Sequence, residues 1–126
     1  MKSRAGFTLV EIMLALVVIG ILAGMAYSRV IAIAERSRGA EAREIIYKAY
    51  AGYQRARDDG EAIVGIDNNK WSQFGLSNPN SRPDRYFNYT FSPAGSTNPS
   101  TCRATRGGRY IEINLATGVI TNTSAY

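Results

Sequence analysis

Between Phe7 and Tyr27 the chain reads FTLVEIMLALVVIGILAGMAY, an apolar run with one charged side chain, Glu11. As a helix rising about 1.5 Å per residue it reaches roughly 31 Å, the thickness of a bilayer's hydrocarbon core. The run therefore predicts a single membrane-spanning helix. A secretory signal would carry a shorter apolar stretch closed by a small-residue cleavage site, whereas this run continues into a polar helical pattern and is expected to stay with the protein. Lys2 and Arg4 precede it, so the positive-inside rule puts residues 1–6 in the cytoplasm and everything beyond Tyr27 outside.

The rest of the chain narrows the chemistry. With 126 residues, 45% of them hydrophobic, it supports one small domain. Histidine is absent and Cys102 is the single cysteine, which excludes a His/Cys zinc cluster and any Ser-His-Asp or Cys-His nucleophile. No convergent set of titratable groups suggests an enzyme, and no cofactor or metal is expected. Cys102 cannot form an intrachain disulfide and reads as a small buried apolar residue. The formal charge of +5 falls to +3 once Lys2 and Arg4 are removed, an excess too mild to indicate nucleic acid by itself.

Glu11 is the anomaly in the apolar run, because an acid at the centre of a bilayer costs on the order of 3 kcal/mol on insertion scales. One reading keeps it wet, since it lies only four residues into the run. The other uses Gly6. Cleavage of the Gly6–Phe7 bond would create an α-amino group one helical turn before Glu11, and that amine and a carboxylate in apolar surroundings are complementary. The amine could come from the same helix or from an axially displaced neighbour, which would set a stagger between subunits.

The stretch Arg4-Ala5-Gly6-Phe7-Thr8-Leu9-Val10-Glu11, with its short basic leader and the apolar run behind it, resembles the prepilin signature shared by type IV pilins, type II secretion pseudopilins and competence pilins. Close similarity extends over roughly residues 1–55. The resemblance implies that Gly6 precedes the prepilin peptidase cut, that Phe7 becomes the N-methylated mature N-terminus, and that Glu11 sets assembly register. It also implies a homo-oligomeric filament with other pilins, assembled by inner-membrane machinery. The chain would span the inner membrane once and then enter an extracellular or periplasmic filament. Ser28 stands where many members carry a kinking proline.

Gly20 and Gly24 form a GxxxG pattern, small residues that let helix backbones approach closely; glycine also weakens helix, making residues 20–24 a place to stretch. After Tyr27 the chain becomes amphipathic: Ala42, Ile46, Ala49, Tyr53 and Ala56 recur at helical spacing and should pack on something. Glu44 and Lys48 form an i, i+4 pair, and Asp58-Asp59-Gly60 closes the pattern at about Arg57. Tyr27, Tyr47, Tyr50 and Tyr53 read as core or interface more readily than as a conducting ladder. Residues 61–85 read as a long connecting loop anchored by Trp71 and Phe74. Four strands are expected at Tyr86–Ser92, Cys102–Arg106, Arg109–Leu115 and Val119–Thr123, with tight turns at Gly107-Gly108 and Ala116-Thr117-Gly118 joining the last three into a meander. The expected class is α+β: a long N-terminal helix carrying a small antiparallel sheet. The divisions are a cleaved leader at 1–6, a membrane or filament-core helix at 7–27, an amphipathic helix at 28–58 and a head at 59–126.

Subfamily signals are sparse. The chain lacks the C-terminal cysteine pair of many type IV pilins, and Glu112 is the sole acidic side chain after Asp84, too few for a late calcium loop. Asp58, Asp59, Glu61 and Asp67 read as a solvated turn rather than a calcium site. The sequons at Asn88 and Asn122 are weak signals. Arg103, Arg106 and Arg109 cluster around Gly107-Gly108, suited either to polyanion contact, including DNA, or to salt bridging on a filament surface. Three readings follow: a filament subunit, a minor or competence-type pilin binding DNA through those arginines, and a plain signal-anchored membrane protein.

Overall fold

The structure is a computed structural model and describes residues 7–61, 63, 67–96 and 98–123. Its elements, in chain order, are helix α1 (Leu9–Asp58), helix α2 (Asp67–Gln73), a 3-10 turn (Pro79–Ser81) and strands β1 (Asn88–Ser92), β2 (Thr101–Arg106), β3 (Arg109–Asn114) and β4 (Ile120–Asn122). Contacts divide the chain into two units, residues 1–35 and 36–126. In the first, the described residues form the apolar start of α1. Ser28 leaves the helix continuous, its hydroxyl donating to the Met25 carbonyl at 3.2 Å, a local back-bond that serine tolerates in helices.

In the second unit one face of α1 packs under the sheet. Ala42, Ile46, Ala49, Tyr53 and Ala56 are buried, the stripe expected from their spacing, and Gly39 and Gly52 are buried with them. Most of that stripe is small, so neighbouring backbone comes close. A Cβ on Gly52 would stand 2.5 Å from the Phe74 Cβ and 2.8 Å from its carbonyl oxygen. Three polar bonds pin the helix further: Tyr53 donates to Asn98 Oδ1 at 2.6 Å, Gln54 to the Leu115 carbonyl at 2.7 Å and Arg55 to the Phe74 carbonyl at 2.9 Å.

The four strands form one antiparallel sheet in the order β1-β2-β3-β4. Strand alternation sends Phe91, Cys102, Ala104, Ile111 and Ile113 to the core, each at most 1% exposed. Cys102 is buried, as expected of a lone cysteine of this kind. At the β1 edge the Asn80 side chain acts as a substitute strand. Its oxygen accepts the Tyr89 N–H at 2.8 Å and its amide donates to the Tyr89 carbonyl at 2.6 Å, which seals an otherwise open pairing position.

One expectation needs correcting: the 61–85 connection is not a plain loop but contains α2. Asp67-Asn68-Asn69 are residues that favour turns, and seven residues are too few to show a helical period. The helix exists because Trp71 and the following Phe74 are buried, and such tertiary burial stabilises short helices that propensity alone does not. Trp71 and Phe74 lie 5.0 Å and 5.5 Å from the Phe91 ring centroid, an aromatic wedge between α1 and the sheet.

Candidate functional site

The exposed apolar segment of α1 is the most conspicuous surface of the chain. Phe7 is 82% exposed and Leu9 76%, and large apolar side chains remain open to Ile33. A window within this helix has mean hydropathy 2.6 and no buried residue, so it is long and apolar enough to cross a membrane. Gly20 and Gly24 lie in it with nothing within 4 Å of where a Cβ would stand. No described residue of the chain uses the close approach they permit.

Glu11 has a partner that its spacing alone did not reveal. Its Oε2 accepts the Thr8 N–H at 3.1 Å and the Thr8 hydroxyl at 3.1 Å, while the Glu11 N–H donates back to Thr8 Oγ1 at 3.3 Å. This is a capping box, with Thr8 as N-cap of α1 and Glu11 as its third residue. Thr8-Leu9-Val10-Glu11 matches the S/T-x-x-E pattern, so the signal was present in the sequence. The carboxylate is also placed where the helix's positive N-terminal end favours a negative charge. Phe7 immediately precedes this cap; Gly6 and the leader lie outside the described residues.

The three arginines of the β2–β3 turn do not converge. Strand parity puts Arg103 on the outer face of the sheet and Arg106, facing Arg109, on the face that carries Cys102 and Ala104. Arg103 Nε donates to Glu112 Oε2 at 2.6 Å across the strand pair and its guanidinium lies 4.6 Å from the Tyr110 ring centre. Arg106 instead stacks on Tyr86 at 3.3 Å. The other face of that ring holds Arg38 at 4.1 Å, because two guanidinium groups this close to one centroid cannot share a face. Arg106 thereby joins Arg38, Arg82 and Arg85, a grouping that spans three separate stretches of sequence and left no local motif.

A cleft of about 200 Å³ opens among these groups, lined by Arg38, Glu41, Arg82, Asp84, Arg85 and Tyr89 together with apolar neighbours. Arg82 bridges Glu41 at 3.5 Å and Asp84 at 3.3 Å. Tyr89 is 4% exposed; burial, and after it the Glu41 charge, push its phenol pKa well above the usual tyrosine range. It stays a protonated donor. Among the described residues no group of three or more acidic or thiol side chains is arranged to hold a metal ion. The side chain of Asp67 and the residue Ser124 of the second sequon lie outside the described residues.

Residues 1–27 match the family model described as the prokaryotic N-terminal methylation motif, so the chain carries the signature of type IV prepilins and pseudopilins. Comparison with curated proteins and with solved structures returns no match.

Proposed function

We propose that this chain is the precursor of a structural subunit of a type IV pilus-like filament. Prepilin peptidase cuts it after Gly6, Phe7 becomes the N-methylated terminus, and the helix beginning there moves from the inner membrane into a filament core. The observation that carries this reading is the methylation motif at residues 1–27 lying on a capped, fully exposed apolar helix. Lipid is as apolar as a bundle of such helices, so burial alone does not drive assembly. Close packing at Gly20 and Gly24 and pairing of Glu11 with a neighbour's methylated amine supply the difference. In the free precursor Thr8 occupies Glu11 Oε2, which keeps the carboxylate solvated by protein until a neighbour's amine arrives.

The test is the mass of the N-terminal peptide, measured separately from sheared extracellular material and from membranes. Filaments beginning at N-methylated Phe7 are the expected result. Intact Met1 found only in membranes would reduce the chain to a signal-anchored protein.

A further inference from the structure

The arginine cleft has a counterpart elsewhere on the same chain. At the end of α1, Asp58, Asp59 and Glu61 are exposed and take part in no ion pair among the described residues. Their backbone is fixed: Glu61 N–H donates to the Ala56 carbonyl at 2.9 Å and Gly60 N–H to the Arg57 carbonyl at 3.2 Å, with Gly60 at φ +70°. These are the bonds of a Schellman cap, which holds the acidic turn in one conformation. Two nearby cations do not remove the negative excess. Arg55, bonded to the neutral Phe74 carbonyl, and the exposed Arg57 still leave one negative charge in excess on the three carboxylates.

The cleft has the opposite character. Arg38, Arg82 and Arg85 line it against two carboxylates, Glu41 and Asp84, both bridged by Arg82, and Arg106 stands beside it on the Tyr86 ring. Tyr89 lines it, and its hydroxyl, which makes no hydrogen bond among the described residues, is open to the cleft. A ligand acceptor entering the cleft can take that donor in place of water. At about 200 Å³ the cleft is smaller than the roughly 300–1,000 Å³ of drug-sized sites and suits one or two carboxylate side chains.

One molecule cannot join the two. Arg38 and Asp58 lie on the same helix, twenty residues apart, which at 1.5 Å per residue is about 30 Å. We infer that the cleft around Arg85 and Tyr89 receives the Asp58-Asp59-Gly60-Glu61 turn of a second copy of this chain. Donor and acceptor patches differ, so the contact is head-to-tail, the kind that propagates into an open filament unless a rotation closes it. This rests on the proposed filament role and names a contact within it that does not involve the apolar helix.

The experiment is sedimentation of the full chain in zwitterionic detergent micelles. Wild-type oligomers should disperse as salt rises from about 0.05 M to about 0.5 M, because screening weakens exposed charge contacts. Asp59→Arg and Arg85→Glu should each weaken association by about tenfold, and Tyr89→Phe by a smaller factor. The paired reversal Asp59→Arg with Arg85→Glu should return it to within about threefold of wild type. Reversals that sediment like wild type, or a pair no better than its members, would overturn the inference. So would a uronic-acid saccharide that saturates the cleft while the reversals leave oligomers intact, since that assigns the site to an acidic glycan. Glu11→Ala in the same assay should still oligomerise through the heads. Loss of the filament role would then show as missing filaments in cells with this head contact unchanged.

Discussion

Glu11 closes one structure in the single chain and is proposed to make another in a filament. In the single chain it closes a capping box with Thr8, an arrangement whose removal costs a helix about 1 kcal/mol. In a filament the same carboxylate is proposed to meet a neighbour's amine. Replacing it with alanine should therefore reduce filament yield severely while membrane insertion, measured by fractionation, stays near wild type. Normal filaments from that variant would remove Glu11 from the assembly mechanism. The spacing of Glu11 behind Gly6 and Phe7 was legible in the sequence; its bond to Thr8 was legible too but is masked by the stronger membrane argument. The arginine site was not legible. Arg103, Arg106 and Arg109 look like one cluster along the chain, yet the two-residue period of a strand divides them between opposite faces, and the ring that Arg106 stacks on, Tyr86, is one it shares with Arg38.

At the scale of elements, the amphipathic half of α1 and all four strands could be read from periodicity, because each has enough residues to show its repeat. The exposed Glu44–Lys48 pair, 2.6 Å apart, also follows from i, i+4 geometry. Helix α2 could not be read, since tertiary burial rather than propensity maintains it. Nor did anything mark Lys70 as a buried residue whose ammonium lies 5.8 Å from the Phe91 ring centre. The junction of α1 and α2 gives a sharp prediction. Alanine at Gly52 gains about 1 kcal/mol of helix propensity, but its methyl would collide with the Phe74 backbone, where overpacking costs about 1–3 kcal/mol or more. Gly52→Ala should therefore lower the denaturation midpoint. The same change at Gly20 or Gly24, where a Cβ meets open space, should leave that midpoint unharmed. A Gly52→Ala protein as stable as wild type would mean that Phe74 can move away.

For the molecule as a whole, stability has an alkaline limit. Burial raises the Tyr89 pKa in the folded state, whereas an unfolded tyrosine ionises near pH 10. The folded state thus favours the neutral phenol: its contribution is complete below about pH 10 and declines as pH rises further. Denaturation midpoints should fall as pH rises above about 10, with a shallower fall in Tyr89→Phe. An equal slope in the two proteins would place the alkaline sensitivity elsewhere.

Strand order carries a last consequence. Because β1, β2, β3 and β4 pair in the sequence in which they occur, every ladder joins consecutive strands. The turn at Gly107-Gly108 brings Ile111 and Ile113 opposite Ala104 and Cys102 with only a few intervening residues. Loop-closure entropy for such pairings is small, and sheets of low contact order form quickly. Each strand needs only its predecessor as a template, so a chain tethered at its N-terminal end can lay the sheet down in the order of synthesis, without waiting for its last residues.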